Sequence, residues 1–187
     1  MLNIRLALFA LSLMALSLVI CHAQTTSDGR VEGNTYVNSY FKLAYSWPKS
    51  LQPADASKLN LPNVVPNPNE SLLFSARQGT EPFGVVVIAE KLGVSTQRSR
   101  GTKDGSDFLD RVTVSSGLTK ERILKRTTLT NEYGLTFQEL DYLLDGGYSS
   151  AITIQVGQWL MAFRCNAKSE SDLLVMTKSV LSSRPGV

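Results

Sequence analysis

A chain of 187 residues with a net charge of +3 and 43% apolar residues is too mildly basic to imply a nucleic-acid or anionic-membrane surface. Its apolar content suits one folded domain. One histidine and two cysteines leave little material for nucleophilic or metal chemistry.

The N-terminus reduces that material further. Arg5 gives a positive start, Leu6 to Ile20 is an apolar run, and Cys21-His22-Ala23 puts small residues at −3 and −1 of a cut after Ala23. Crossing the hydrocarbon core takes about 20 apolar residues, so the run is short for a stable anchor. Residues 1–23 are therefore read as a cleavable signal peptide. Export to the periplasm or the cell exterior follows. Leu18-Val19-Ile20-Cys21 also resembles a lipobox, which makes lipid anchoring through Cys21 the alternative. Ile20 departs from the Gly, Ala or Ser which that motif carries. Cleavage leaves 164 residues, a charge of +2, Cys165 as sole cysteine and no histidine. That excludes an intrachain disulfide, Ser-His-Asp and Cys-His catalysis, and histidine-ligated metals. No catalytic residue, metal ligand or cofactor is assigned. No later segment is apolar enough to span a bilayer.

Residues 24–34 are polar, lack periodicity and read as a flexible leader; residues 35–187 form the single domain. Phe41, Leu43, Tyr45 and Trp47 alternate with more polar residues, as in a strand with one apolar face, stopped by Pro48. Residues 48–70, with five prolines, read as a long surface loop with one helical turn near Ala54 to Leu59. Leu72 to Gln78 and Gly84 to Leu92 read as adjacent strands. Val85 to Ile88, apolar throughout, suits a strand covered on both faces. A helix is predicted from Ser106 to about Gly117, burying Phe108, Leu109 and Val112.

Strands are predicted again at Ile123 to Thr130 and Leu135 to Leu144. The second changes phase: Leu135 and Phe137 are apolar at odd positions, then Leu140, Tyr142 and Leu144 at even ones. An extra, bulged residue would account for this. Gly157-Gln158 fits a type II′ turn that pairs Val156 with Trp159, Ile154 with Met161, Ile152 with Phe163 and Ser150 with Cys165. Trp159 and Phe163 are expected to be buried with Ile152 and Ile154 beneath the C-terminal helix. Ser169 caps that helix, with Asp172 three residues on. The order gives an α+β domain whose mainly antiparallel sheet is covered by helices.

The stretch Tyr40-Phe41-x-Leu43-x-Tyr45-x-Trp47-Pro48 resembles the opening strand of Mog1/PsbP-like domains. The run from Tyr133-Gly134 through Phe137 to Asp141-Tyr142, the Trp159 hairpin and the closing helix are similar to their C-terminal half. The resemblance spans roughly residues 36–183 and implies an α/β/α sandwich. It also implies a non-catalytic binding or assembly role, as in photosystem II extrinsic subunits, a Ran-binding nuclear factor and bacterial envelope lipoproteins. The export signal favours a bacterial envelope relative.

Cys165 alternates with Met161 and Phe163 on an apolar face and reads as an inert core thiol. Asp104, Asp107 and Asp110 match the acids expected at a helix start rather than a calcium loop. Glu139 and Asp141 read as a solvent-facing strand edge. Arg98, Arg100, Lys103, Lys120, Arg122, Lys125 and Arg126 flank the first helix and are the candidate surface for an acidic partner. The functional expectation is a non-catalytic binding or assembly-accessory module whose partner is another envelope or secreted protein. The alternatives are a carrier of a small apolar ligand between sheet and helices, and a carboxylate-only hydrolase.

Overall fold

The computed structural model describes residues 28–55, 69–81, 83–95 and 101–186. The expected signal peptide and its cleavage site lie outside the described residues. So does all of the expected 54–59 helical turn except Ala54 and Asp55. In chain order the elements are β1 (Gly29–Glu32), β2 (Thr35–Asn38), β3 (Leu43–Ser46), β4 (Gln52–Pro53), β5 (Glu70–Arg77), β6 (Gly84–Lys91), α1 (Gly105–Ser115), β7 (Ile123–Thr130), β8 (Thr136–Leu144), β9 (Gly147–Val156), β10 (Trp159–Ala167), α2 (Glu170–Leu181) and β11 (Arg184–Pro185). A 3-10 turn at Lys120–Arg122 leads into β7. Seven strands form a sheet in the order β4-β5-β6-β10-β9-β8-β7, and β1-β2-β3-β11 form a smaller one. All of these pairings are antiparallel.

The β9–β10 hairpin has the predicted register: Ile154 faces Met161, Ile152 faces Phe163 and Ser150 faces Cys165. Gly157 takes φ +59° while Gln158 does not go positive, as a type II′ turn requires. The second helix starts at the predicted Ser169 cap, and the first starts at Gly105, one residue before the expected Ser106, with Asp104 as its cap. Asp104 accepts from the Asp107 N–H at 2.9 Å, and Ser169 accepts from the Asp172 N–H at 3.2 Å.

Each face of the large sheet has its own core, because alternate residues of a strand leave opposite faces. On one face Val85, Val87, Ile152, Met161 and Phe163 pack beneath Leu173, Met176 and Val180 of α2, beneath Tyr36 and Tyr45 of the small sheet, and beneath Trp47 just after β3. The Tyr45 ring meets Phe163 edge-on at 5.2 Å, and Trp47 stacks on Phe74 at 4.6 Å. On the other face Val86, Ile88, Leu140, Tyr142, Leu160 and Ala162 pack beneath Phe108, Leu109 and Val112 of α1.

Several expectations are corrected. Residues 29–32 are a strand rather than leader. Pairing with β2 holds them, and all four are exposed, so no apolar pattern marks them. Gln52–Pro53, inside the expected long loop, pair with β5, and Pro185, just past the closing helix, pairs with Leu43. The β8 ladder with β9 runs unbroken from Phe137 to Leu144; the irregularity opposite β8 lies in β7, between Ile123 and Lys125. Trp159 is half-buried at the end of the hairpin. It donates its indole N–H to the Tyr40 hydroxyl at 3.0 Å, because the covering layer ends there.

Candidate functional site

Arg98 and Arg100 lie outside the described residues. Lys125 and Arg126 are adjacent in β7 and so leave opposite faces. Lys125 donates to Glu139 at 2.5 Å. Arg126 reaches over to α1, donating to Asp110 at 2.6 Å and to the Ser106 hydroxyl at 3.0 Å. Arg122 pairs with Asp145 at 3.0 Å. Lys103 and Lys120 are exposed, one just before the α1 cap and the other opening the 3-10 turn. The fold thus separates Lys125 from Arg126 and places acidic partners among the described arginines.

Glu139 and Asp141 are not the solvent-facing edge expected of them. Glu139 is 1% exposed. Asp141 is half-buried, and the Ser150 and Cys165 positions follow it across β9 and β10. Burial lifts the Asp141 carboxyl above its ordinary range. The neighbouring Glu139 charge adds to the rise, while Ser150 and Lys125 oppose it. One oxygen on each carboxyl, and the Ser150 hydroxyl, reach no hydrogen-bond geometry within the protein. Burial, with the Asp141 and Glu139 charges, pushes the Cys165 thiol far up, so the thiolate that would react is suppressed. This seam is a closed structural feature rather than a cleft.

On the opposite face an ion cluster ties α1 to the sheet. Glu90, 1% exposed, accepts from Thr102 at 2.6 Å and from both terminal nitrogens of Arg111. The Arg111 guanidinium also lies 5.2 Å from the Phe108 ring centre. Removing Arg111 would strand the buried Glu90 charge, so the cluster fixes where the helix sits.

Among the described residues, this face is open at the start of α1. Two adjoining cavities, about 410 and 240 Å³, share Gln138. Gly105 and Ser106 form the rim, and Thr128, Thr136, Thr153 and Gln155 contribute to the lining. Thr128, Gln138, Thr153 and Ala162 follow one another in register across β7, β8, β9 and β10. The helix start comes so close to this row that a Cβ at position 105 would collide with the Thr153 hydroxyl and approach the Gln138 oxygen to 2.7 Å. Only glycine permits that approach. Thr153 is 1% exposed, yet its hydroxyl and the Gln138 side-chain oxygen have no hydrogen-bond partner in the protein. Buried polar atoms are normally satisfied, so this pair stands out.

The signal for both features was present in the phase change of β8. Even positions run Thr136, Gln138, Leu140, Tyr142, and odd positions run Leu135, Phe137, Glu139, Asp141. Each face switches between polar and apolar halfway along the strand. The even face is polar where it floors the groove and apolar where α1 covers it. The odd face is apolar near the α2 layer and polar at the seam.

No family profile matches the chain, and no curated protein matches it at a significant level. Among solved structures, it is similar to the solution structure of a cyanobacterial PsbP (CyanoP) from Synechocystis sp. PCC 6803. The identity is 14% and the TM-score 0.47, covering 87% of this chain and 96% of that chain. At that identity and score the likeness carries no argument about this chain. Among the described residues no helix is long and apolar enough to cross a membrane.

Proposed function

We propose that this chain is an exported, non-catalytic binding module of the cell envelope or its exterior, and that it binds through the groove beneath the start of α1. The observation that carries this reading is the chemistry of the groove lining. Threonine, glutamine, glycine and leucine side chains dominate it, and none of these titrates near neutrality or serves as a general acid or base. Arg126, which borders the smaller cavity, is engaged by Asp110. Such a lining holds a ligand without transforming it.

The other two readings have less support. The layers between sheet and helices are filled by the two apolar cores, which leaves the apolar-ligand carrier without a matching cavity among those described. The strand carboxyls Glu139, buried, and Asp141, half-buried, lie beside Lys125 and line neither cavity, which weighs against a carboxylate hydrolase.

Photo-crosslinking in the native envelope tests the reading. A crosslinking residue at Thr128 or Gln155, on the groove, is compared with one at Leu174, exposed on α2 across the sheet. Discrete adducts from the groove positions and none from Leu174 are the expected outcome. Equal labelling from both faces, or none from either, overturns it.

A further inference from the structure

We propose that Asp145-Gly146, at the turn between β8 and β9, is a site of spontaneous covalent modification: it closes to a succinimide and reopens as isoaspartate, with Arg122 as the brake. The chain holds three Asp-Gly pairs, Asp28-Gly29, Asp104-Gly105 and Asp145-Gly146, and no Asn-Gly pair. Glycine after the acid leaves the next backbone nitrogen open to attack, since it carries no Cβ. Sequence alone treats the three alike, and the fold separates them.

Ring closure needs the acid's carboxyl and the following peptide group free to turn toward one another. At Asp104 both are held. The carboxylate accepts from the Asp107 N–H at 2.9 Å, and the main-chain carbonyl accepts from the Phe108 N–H at 3.1 Å as α1 begins. At Asp28 the carbonyl accepts from the Ser39 N–H at 3.4 Å, and the Tyr36 ring stands where a Cβ on Gly29 would lie. Asp145 and Gly146 are instead the two turn residues inside the closing pair Leu144 and Gly147. The Asp145 side chain is 92% exposed. Gly146 lies at φ +101°, with nothing within 4 Å of where a Cβ would stand. The Asp145 carboxylate pairs with Arg122 at 3.0 Å, an exposed ion pair of the kind that holds weakly. An ionised carboxylate is a poor electrophile, so the guanidinium slows the reaction without preventing it.

In the first step the Gly146 nitrogen bonds to the Asp145 side-chain carboxyl carbon, and the hydroxyl of that carbon leaves with the amide proton as water. Water then adds to either ring carbonyl. Breaking the ring bond to the main-chain carbonyl carbon sends the main chain through the side-chain carbon; breaking the other restores aspartate. Isomerisation leaves the mass unchanged and adds one methylene to the main chain between Leu144 and Gly147, whose pairing closes the β8–β9 ladder.

The test incubates the folded, exported chain in heavy-oxygen water at about pH 5, where carboxylates are partly protonated. Peptide mass spectrometry then maps isoaspartate and incorporated heavy oxygen. Asp145 is expected to convert about fivefold faster than Asp104, the factor imposed by one side-chain cap, and faster than Asp28. In urea, where the fold no longer separates them, the three rates should converge. Arg122→Ala should speed Asp145 by about two- to fivefold and leave Asp104 unchanged. Conversion at Asp104 or Asp28 that matches or outpaces Asp145 in the folded chain overturns the proposal, as does an Asp145 that converts only in urea. An Arg122→Ala chain that isomerises no faster at Asp145 removes Arg122 as the brake.

Discussion

The two faces of the seven-stranded sheet are built to different ends. One carries a helix and a second sheet whose tyrosine, tryptophan and phenylalanine rings interlock across Tyr36, Phe74, Trp47, Tyr45 and Phe163. The other carries a single helix that covers half the strand length and leaves a Thr and Gln row at its start. Layers that fill completely stabilise a fold, and incompletely covered polar sheet surface is where a ligand is met. On the proposed reading, the filled face serves stability and the α1 face adds a binding groove to its own smaller core.

The largest way to break that division is to strike the filled face. Phe163 is fully buried among Tyr45, Met161 and Ile152. Phe163→Ala should cost about 3–5 kcal/mol, the usual loss for a buried phenylalanine. Urea denaturation measures this, and groove crosslinks in any surviving folded fraction should be unchanged. A loss under about 1 kcal/mol would mean the face is not packed as described.

A smaller, pH-dependent effect comes from the seam on the same face. Asp141 holds its proton above the ordinary carboxylate range, chiefly through burial. A raised folded pKa means that the contribution of this group is full below the unfolded value and is lost as pH rises through the folded one. Asp141→Asn removes that loss. Its stability relative to the parent should therefore rise as pH passes the ordinary carboxylate range and then level off. Glu139, Lys125, Ser150 and Cys165 surround the site and remain in both proteins. Denaturation midpoints of both proteins from about pH 3 to about pH 8 check this. A difference that does not change with pH would show that Asp141 ionises normally.

Local chemistry made much of this legible in advance. The Gly157-Gln158 turn, the alternation around it and the cap at Ser169 fix their neighbours within a few residues and appear as expected; the first helix begins one residue before the expected Ser106, with Asp104 as its cap. Elements held only by a partner strand were not legible. Gly29–Glu32, Gln52–Pro53 and Arg184–Pro185 are short and exposed, so neither periodicity nor burial marks them. Trp159 shows the limit of alternation. It tells which face a side chain leaves by, and not how far the cover over that face extends. Glu139 and Asp141 were misread because an acid in a strand is ordinarily exposed. Their burial depends on Lys125 arriving from β7, a contact set by register across fourteen residues of chain. The groove stayed hidden because its residues come from α1 and four strands, and because the face switch in β8 looks, from sequence, like a bulge.

The groove supplies the smallest expected effect and the most direct test of the division between faces. Thr153 is adjacent in β9 to Ile152, which belongs to the filled core, and it points the opposite way. If its buried hydroxyl is unpartnered within the fold, Thr153→Val removes an unsatisfied polar atom at nearly constant shape. The urea midpoint of the unliganded variant should then equal or exceed that of the parent. An unfolding free energy lowered by about 1 kcal/mol or more would mean that the hydroxyl makes a structural hydrogen bond; both faces would then serve stability alone, contradicting the account.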